Sequence, residues 1–202
     1  MAVVVSAQWY YDNHTKRQLL IEVSKAAIAY TNVARSGISN FVEKTREIDY
    51  DELFSHSETI IIGFQHNPRV VDEYFTELQS RVTDGKETRI LVSDQNGNAV
   101  TYLSKSLQDS DHIIPEIRKV IDKTNAINRV EKAKQTLQLR FHDAVLTYSF
   151  VYSKDGVWIK AYRNSLGKSS PPGIFVRSAS PLFEFYKQDI ESLWELASDD
   201  SS

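Results

Sequence analysis

The sequence predicts an α/β fold with a mixed sheet, in which a parallel βαβ first half precedes an antiparallel second half, plus an N-terminal helix. Two apolar runs, 59–64 and 88–93, flank a segment with helical periodicity, and this arrangement indicates a parallel βαβ unit. In the last third, apolar residues alternate around Lys154-Asp155-Gly156, which is typical of an antiparallel hairpin. The 202 residues, 41% of them hydrophobic, suffice for one buried core.

The first 56 residues predict a helix and a connector. Between Lys16 and Val33 the apolar residues recur at intervals of three and four, which is the pattern of an amphipathic helix. The segment from Arg35 to Asp51 mixes turn-forming residues with many charges and predicts a connector that ends in a short helix at 50–54.

The βαβ unit is predicted element by element. The run 59–64 is continuously apolar at its centre and predicts a strand buried on both faces. Asn67 and Pro68 are suited to begin a helix, and Gly85 is suited to end it. The strand 88–93 completes the unit.

The rest of the chain alternates helices and strands. We expect two helices, four strands and a C-terminal helix that Ser180 and Pro181 begin and whose inner side carries Trp194. The helices and strands before the C-terminal helix are predicted at 100–107, 111–130, 137–141, 146–152, 157–162 and 174–176. We therefore divide the chain into an N-terminal helix and connector (1–56), an α/β domain (57–198) and a short acidic tail (199–202).

Composition excludes several classes of function. The 24 Lys+Arg and 27 Asp+Glu residues give a net charge of -3, which leaves nucleic acid a possible partner but does not indicate one. The absence of Cys excludes zinc-thiolate sites, iron–sulfur clusters and cysteine nucleophiles, and we expect no metal and no cofactor. No apolar run approaches the ~20 residues that span a bilayer, and the N-terminus lacks a signal-peptide pattern. We expect a cytoplasmic protein without a membrane partner.

Two of the five histidines are candidate catalytic residues. None of the five has the spacing of a metalloprotease helix. His66 and His142 follow or end predicted strands, where α/β sheets place their ligands. The alternative for both is an ordinary histidine in a loop.

The order of these elements resembles the phospholipase D-like superfamily, in particular its small bacterial single-module members. The resemblance covers roughly 57–197. It rests on four features: the run Ile60-Ile61-Ile62-Gly63, the segment Gly85-x-x-x-Arg89-Ile90-Leu91-Val92-Ser93-Asp94, the hairpin with Asp155-Gly156, and Ser180-Pro181-Leu182-Phe183 ahead of the Trp194 helix.

The resemblance implies a catalytic signature that this chain lacks. The family motif is His-x-Lys, four residues and Asp, carried on the hairpin. With the acid at Asp155, the His position holds Tyr148 and the Lys position holds Phe150. A phenol with a pKa near ~10 is a poor nucleophile, and a phenyl ring cannot hold a phosphate oxygen. The resemblance therefore implies a pseudoenzyme.

A binding site is expected in place of the catalytic one. The ligand-binding candidates are Arg140, Tyr148, Trp158, Lys160 and Arg163, since cations and aromatic rings from neighbouring strands neutralise a phosphate and stack on a base. We expect a non-catalytic module that binds or senses a phosphate-containing small molecule or nucleotide, or mediates a protein interaction. Aromatic residues that alternate on a hairpin also form cross-strand pairs, and that alternative stays open.

Two further expectations concern activity and assembly. The alternative function is a phosphodiesterase or nuclease with a site rearranged around His142 and possibly His66. The resemblance also implies a homodimer, because family members of this size pair two modules about a two-fold axis. The contact surface is either the second-half hairpin or the N-terminal helix.

Overall fold

A seven-stranded mixed sheet forms the centre of the protein in the computed structural model, which describes residues 18–25, 28–66, 69–107, 110–162 and 171–199. The strands are β1 (Ile38–Val42), β2 (Thr59–Gly63), β3 (Glu87–Ser93), β4 (Gln138–His142), β5 (Tyr148–Ser153), β6 (Gly156–Ala161) and β7 (Gly173–Arg177). Their order across the sheet is β1-β7-β6-β5-β2-β3-β4.

Seven α-helices and a short 3-10 helix (Thr45–Glu47) accompany the sheet in the described part of the chain. Helix α1 comprises the helical residues 18–25 and 28–36. The others are α2 (Asp51–His56), α3 (Arg69–Glu73), α4 (Phe75–Asp84), α5 (Asn98–Leu107), α6 (Ser110–Asn128) and α7 (Pro181–Leu196). None of the described helices is both long and apolar enough to cross a bilayer.

The parallel half of the sheet confirms the predicted βαβ unit. Strands β2 and β3 are parallel, and β2 is buried on both faces because Ile60 and Ile62 point to one core and Ile61 points to the other. Gly85 ends α4 in the left-handed conformation with φ of 82°, as its place in the sequence predicts. The parallel part extends one strand further than expected, since β4 is parallel to β3.

The antiparallel half confirms the predicted hairpin and C-terminal helix. Strands β5 and β6 join through the two-residue turn at 154–155, with Ser153 opposite Gly156. The hydroxyl of Ser180 caps α7 by accepting the N–H of Phe183 at 3.2 Å, and Pro181 is the first residue of the helix.

Two expectations about the first half are wrong. The connector after Arg35 contains β1, an edge strand that is stabilised by antiparallel pairing with β7 rather than by its own apolar pattern. The single helix expected after residue 67 is two helices, because the backbone of Tyr74 leaves the helical conformation between α3 and α4. The predicted helix start at Asn67 and Pro68 lies outside the described residues.

The sheet separates two hydrophobic cores. Helices α2 to α6 cover one face, which we call the α2–α6 face, and α7 covers the other, the α7 face. Residues before position 57 take part in the first core, since Ile48, Tyr50 and Phe54 are buried there. Residues after α7 also contact the sheet, because Ser198 pairs with Phe141.

A buried arginine ties three elements together on the α2–α6 face. Arg81 of α4 is 2% exposed, and all its N–H groups point at acceptors. Its guanidinium donates to the carbonyls of Phe54, Ser57, Glu58 and Glu87 and to the hydroxyl of Thr88, at 2.6 to 3.2 Å. Burial lowers the pKa of Arg81 to about 10, so it remains charged at neutral pH. These bonds hold the end of α2 and the start of β3 against α4.

Candidate functional site

The structure does not gather the five predicted ligand-binding residues in one cleft. Trp158 and Lys160 lie on the α2–α6 face of β6, whereas Tyr148 and Arg140 lie on the α7 face. Arg163 lies outside the described residues. The sheet therefore stands between two pairs of residues that we expected to act together.

The two residues on the α7 face make structural contacts. The hydroxyl of Tyr148 donates to the carboxylate of Asp189, and burial followed by this carboxylate raises the pKa of Tyr148. Arg140 donates through Nε to Asp199 at 2.8 Å and through Nη1 to the Trp194 carbonyl at 3.0 Å, with its guanidinium 4.7 Å from the Trp194 ring. Both side chains hold α7 and its C-terminal continuation against the sheet.

Trp158 lines a cavity of about 610 Å³ that has the wrong charge for a phosphate. The indole packs on Phe175, with ring centroids 5.3 Å apart. Four carboxylates surround this cavity against one arginine, Arg177, and one histidine, His56. The carboxylates belong to Glu47, Asp49, Glu52 and Asp155. A rim with this excess of negative charge repels a phosphate.

A second cavity, of about 280 Å³, lies where β2 ends. We call it the cationic cleft, since Lys160 and Arg69 line it; His66 lines it as well. The remaining wall is formed by Thr45, Ile62, Gly63, Phe64, Val70, Ser149, Phe150, Ala161, Tyr162 and Pro171. Its place beyond the carboxyl end of a central strand is the place where open α/β sheets bind their ligands.

Lys160 is the central cation of this cleft. Its ammonium lies 5.6 Å from the centre of the Tyr50 ring, and among the described residues it forms no ion pair with a carboxylate. Burial, reinforced by the neighbouring charge of Arg69, lowers the pKa of Lys160 from 10.5 to about 8, while Glu73 opposes this effect. Lys160 thus carries a proton at neutral pH in a place that disfavours its charge.

Arg69 adds a second cation at the mouth of the cleft. It begins α3, and its Nε donates to a carboxylate oxygen of Glu73 one helical turn later, at 2.7 Å. Arg69 and Glu73 are about half exposed. The carboxylate of Glu73 thus pairs with Arg69 and also acts on the more distant ammonium of Lys160.

Hydrogen bonds fix the wall of the cleft before any ligand arrives. The backbone N–H of Gln65 donates to the hydroxyl of Tyr162 at 2.8 Å. The side-chain amide of Gln65, itself 2% exposed, donates to Ser93 and Ala144 and accepts from Leu146. Burial raises the pKa of Tyr162 to about 12, so this phenol stays neutral. These hydrogen bonds fix the backbone of Gln65 and the ring of Tyr162 beside the cleft.

The two candidate catalytic histidines have different surroundings. His66 lines the cationic cleft. His142 is 4% exposed, and its Nδ1 accepts the N–H of Ala144 at 3.3 Å while its Nε2 donates to the carbonyl of Phe64 at 3.4 Å. Burial lowers the pKa of His142, which keeps the ring neutral. Neither nitrogen of His142 reaches a substrate unless these bonds break.

Sequence reasoning missed three residues of this site: Arg69, Gln65 and Tyr162. Arg69 and Gln65 lie in the segment that follows β2, close to His66 in the chain. The argument that selected His66, that residues after the carboxyl end of a strand lie near ligands, also selects these two. The hydroxyl of Tyr162 holds the backbone of Gln65 beside the cleft.

No metal site is evident in the parts of the chain that the structure describes. They hold no group of three or more His, Asp or Glu side chains arranged to bind a metal ion. The cationic cleft has the opposite chemistry, since its charged side chains repel cations.

Comparisons with known proteins give only distant structural similarity. No protein-family model and no curated protein matches the sequence. Among solved structures, the archaeal chromatin protein TrmBL2, described as showing a novel mode of DNA binding, matches with a TM-score of 0.46 and 14% identity over 94% of this chain and 67% of that one. Nuc from Salmonella typhimurium, a phospholipase D family member, matches with a TM-score of 0.43 and 10% identity over 74% of this chain and 86% of that one. Scores this low carry no argument about function.

Proposed function

We propose that this protein binds a small phosphate-containing ligand, with the phosphate in the cationic cleft, and that it does not hydrolyse phosphodiesters. The observation that carries the proposal is the Lys160 ammonium, which lines the cleft, is largely desolvated, and forms no ion pair with a carboxylate in the described part of the chain. Arg69 stands beside it as a second cation.

The physical reason is the cost of an uncompensated charge. A buried charge is costly unless it is paired, and a protein with such a cation in a cavity gains free energy when an anion enters. A phosphate oxygen accepts short, charge-assisted hydrogen bonds from ammonium and guanidinium groups. Ser149 lines the same cavity and adds a neutral hydroxyl group.

The residues at the positions of the family's catalytic motif support the absence of hydrolysis, because they lack the required side chains. The resemblance assigns Tyr148 and Phe150 to the places of the catalytic His and Lys, and both rings pack in the core of the α7 face. His142 is held by two backbone groups. Of the two candidate histidines, only His66 lines the cleft.

A ligand screen tests this proposal. We expect phosphate and phosphorylated nucleosides to raise the melting temperature, while adenosine, which lacks the anion, leaves it unchanged. A ligand at about 100 times its Kd adds roughly 2.7 kcal/mol, which for a chain of this size raises the melting temperature by several degrees. The same samples are assayed for hydrolysis of a phosphodiester and for binding to duplex DNA.

Each outcome of the screen has a distinct meaning. Stabilisation by phosphate compounds without turnover supports the proposal. Turnover that is lost in His66→Ala or His142→Ala establishes the phosphodiesterase alternative instead. A protein that responds to neither phosphate nor nucleotide contradicts the proposal and favours a role in protein interaction.

A further inference from the structure

Strand β1 leaves one edge of the sheet open. It is the last strand in the sheet order, with β7 on one side, and no described segment pairs with its other side. Its three central residues, 39–41, are exposed. An edge strand of this kind presents a row of backbone N–H and C=O groups that can pair with a further strand. The register with β7 shifts between Ile38 and Asn40, so the regular part of the edge comprises 40–42.

The opposite edge of the sheet is closed by the chain itself. There the backbone of Phe141 in β4 exchanges two hydrogen bonds with Ser198, at 2.8 and 2.9 Å. Strand β1 has no such partner in the part of the chain that the structure describes, and its sequence, Ile-Ser-Asn-Phe-Val, contains neither a charge nor a proline. Charges and prolines are among the devices by which sheets block an edge. Strand β1 is therefore suited to accept another strand.

The two faces beside this edge have different chemistry. Asn40 and Val42 line the cavity of about 610 Å³ on the α2–α6 face, whose lining includes four carboxylates. Phe41 lies on the α7 face, opposite Ile174, and is 59% exposed. The side chains of an added strand alternate between the same two faces. On one face they meet carboxylates, and on the other they lie beside an exposed phenyl ring.

The carboxylates of this cavity are available to an incoming cation. None of the four forms an ion pair with another described residue, and Arg177 is the only lysine or arginine among the residues that line the cavity. The segment 43–52, which supplies three of them, carries five acidic residues against Lys44 and Arg46. A strand paired with β1 lies about 4.8 Å beyond it, so a lysine or arginine side chain on the α2–α6 face is long enough to reach the cavity.

We infer that β1 accepts an extended segment of a partner protein as an additional strand, in which basic residues alternate with apolar ones. Main-chain hydrogen bonds of the added strand provide affinity, and its alternate side chains provide specificity. The basic side chains lie over the cavity, and the apolar ones pack beside Phe41. A second copy of this chain does not meet these requirements, because antiparallel pairing of β1 with itself places two acidic cavities on the same face.

Binding of defined peptides to the intact protein tests this inference. The probe is a short synthetic peptide with blocked ends that alternates lysine and valine, and we expect a Kd of about 100 µM or tighter at about 50 mM salt. A peptide of the same composition in which all lysines precede all valines has the same charge without the alternation. We expect this grouped peptide to bind at least about tenfold more weakly.

Two readouts locate the peptide at β1. Hydrogen exchange of the β1 amides that do not bond to β7 should slow when the alternating peptide binds, because the added strand accepts their hydrogen bonds. Successive N–H groups of a strand point to opposite edges, so peptides N-methylated only at the lysines or only at the valines should differ. The peptide methylated on the edge that faces β1 should lose binding, and the other should retain it.

Charge reversal at the cavity tests the choice of a basic partner. The double variant Glu47→Lys with Glu52→Lys should raise the Kd of the alternating peptide at least about tenfold, since it places positive charge beside positive charge. Asp122→Lys with Glu131→Lys is the matched control, because it changes the net charge equally at exposed positions of α6 and of the segment before β4, the opposite edge strand. We expect the control to change the Kd less than about threefold. Circular dichroism verifies that both variants stay folded.

The inference is overturned if the alternating peptide does not bind, if the grouped peptide binds equally well, or if the two N-methylated peptides do not differ. An equal effect of the two double variants also overturns it, because the cavity then does not select a basic partner. Slow exchange of all β1 amides in the free protein has the same consequence, since a second copy or another segment of the chain then occupies the edge.

Discussion

We expect the Lys160→Met variant to be more stable than the wild-type protein without ligand and to lose its response to phosphate. A pKa lowered from 10.5 to about 8 corresponds to a cost of about 3 kcal/mol for the charged group in the folded protein. Methionine has a similar length and no charge, so it removes this cost while keeping the apolar contact with Tyr50. A gain of about 1 to 3 kcal/mol in the free energy of unfolding at pH 7 is expected, together with a Kd for phosphate raised at least about tenfold.

Urea unfolding and phosphate titration measure the two effects. Lys154→Met is the matched control, because Lys154 is an exposed lysine in the turn of the same hairpin. We expect its stability and phosphate affinity to equal those of the wild type. A Lys160→Met variant that is destabilised, or that still binds phosphate normally, contradicts this account.

The stability difference between wild type and Lys160→Met should depend on pH in a defined direction. Below pH 8 Lys160 is protonated in both the folded and the unfolded chain, and its cost is fully present. Between pH 8 and 10.5 the folded protein releases the proton first, so the wild type gains stability as pH rises and approaches the variant. Burial raises the pKa values of Tyr50 and Tyr162, which adds a separate loss of stability only above pH 10. Measurements between pH 7 and 10 therefore isolate Lys160.

The second large effect is expected at Arg81. In Arg81→Met the carbonyls of Phe54, Ser57, Glu58 and Glu87 and the hydroxyl of Thr88 lose the hydrogen bond from the guanidinium. The Glu58 carbonyl still accepts the N–H of Glu87, but each buried polar group left without a partner costs about 1 to 3 kcal/mol, so we expect a loss of at least about 4 kcal/mol. A loss of that size approaches the whole stability of many domains, and the variant is expected to unfold at low urea or to fail to fold.

Arg118→Met provides the comparison for this second prediction. Arg118 is an exposed arginine of α6 that makes one long hydrogen bond, at 3.3 Å, to Gln95. Its replacement should change the free energy of unfolding by less than about 0.5 kcal/mol. Arg81→Lys should remain strongly destabilised, because an ammonium cannot reach five acceptors that a planar guanidinium reaches. An Arg81→Met variant that loses less than about 1 kcal/mol contradicts the role assigned to this side chain.

Sequence patterns predicted the helices, strands and turns that depend on residues close together in the chain. The apolar run of β2, the turn at 154–155 and the Ser180-Pro181 helix start all depend on neighbouring residues, and all are present in the structure. Strand β1 was missed because it is stabilised by pairing with β7, more than 130 positions later in the chain. The parallel pairing of β4 with β3 likewise depends on contacts distant in sequence.

The predicted ligand site was divided by the register of the hairpin. Residues directly opposite each other on paired strands share a face, and the turn at 154–155 places Tyr148 opposite Ala161 and Ser149 opposite Lys160. Tyr148 therefore faces away from Lys160 and Trp158. The length of the turn is enough to predict that Tyr148 and Lys160 lie on opposite faces, because a two-residue loop fixes the pairing of both strands. Arg140 belongs to a different part of the sheet, where its partner in the register is Leu91.

The cationic cleft depends on contacts that the sequence does not reveal. Lys160 and Arg69 are 91 positions apart in the chain, and the antiparallel pairing of β5 with β2 brings the end of β6 close to the start of α3. The ring of Tyr50, from the segment before α2, lies 5.6 Å from the Lys160 ammonium and is one of the groups that surround it. A lysine at the end of a strand usually reaches water, and only the tertiary structure identifies this one as confined.

The pKa of Lys160, measured by NMR of its side-chain ammonium with and without inorganic phosphate, tests the phosphate site most directly. Lys160→Met identifies the signal by its absence. The account predicts a pKa of about 8 in the free protein and a rise of about one pH unit or more at saturating phosphate, since an adjacent anion favours the protonated amine. A Lys160 that titrates near 10.5 in the free protein, or whose pKa is unchanged by phosphate, contradicts it.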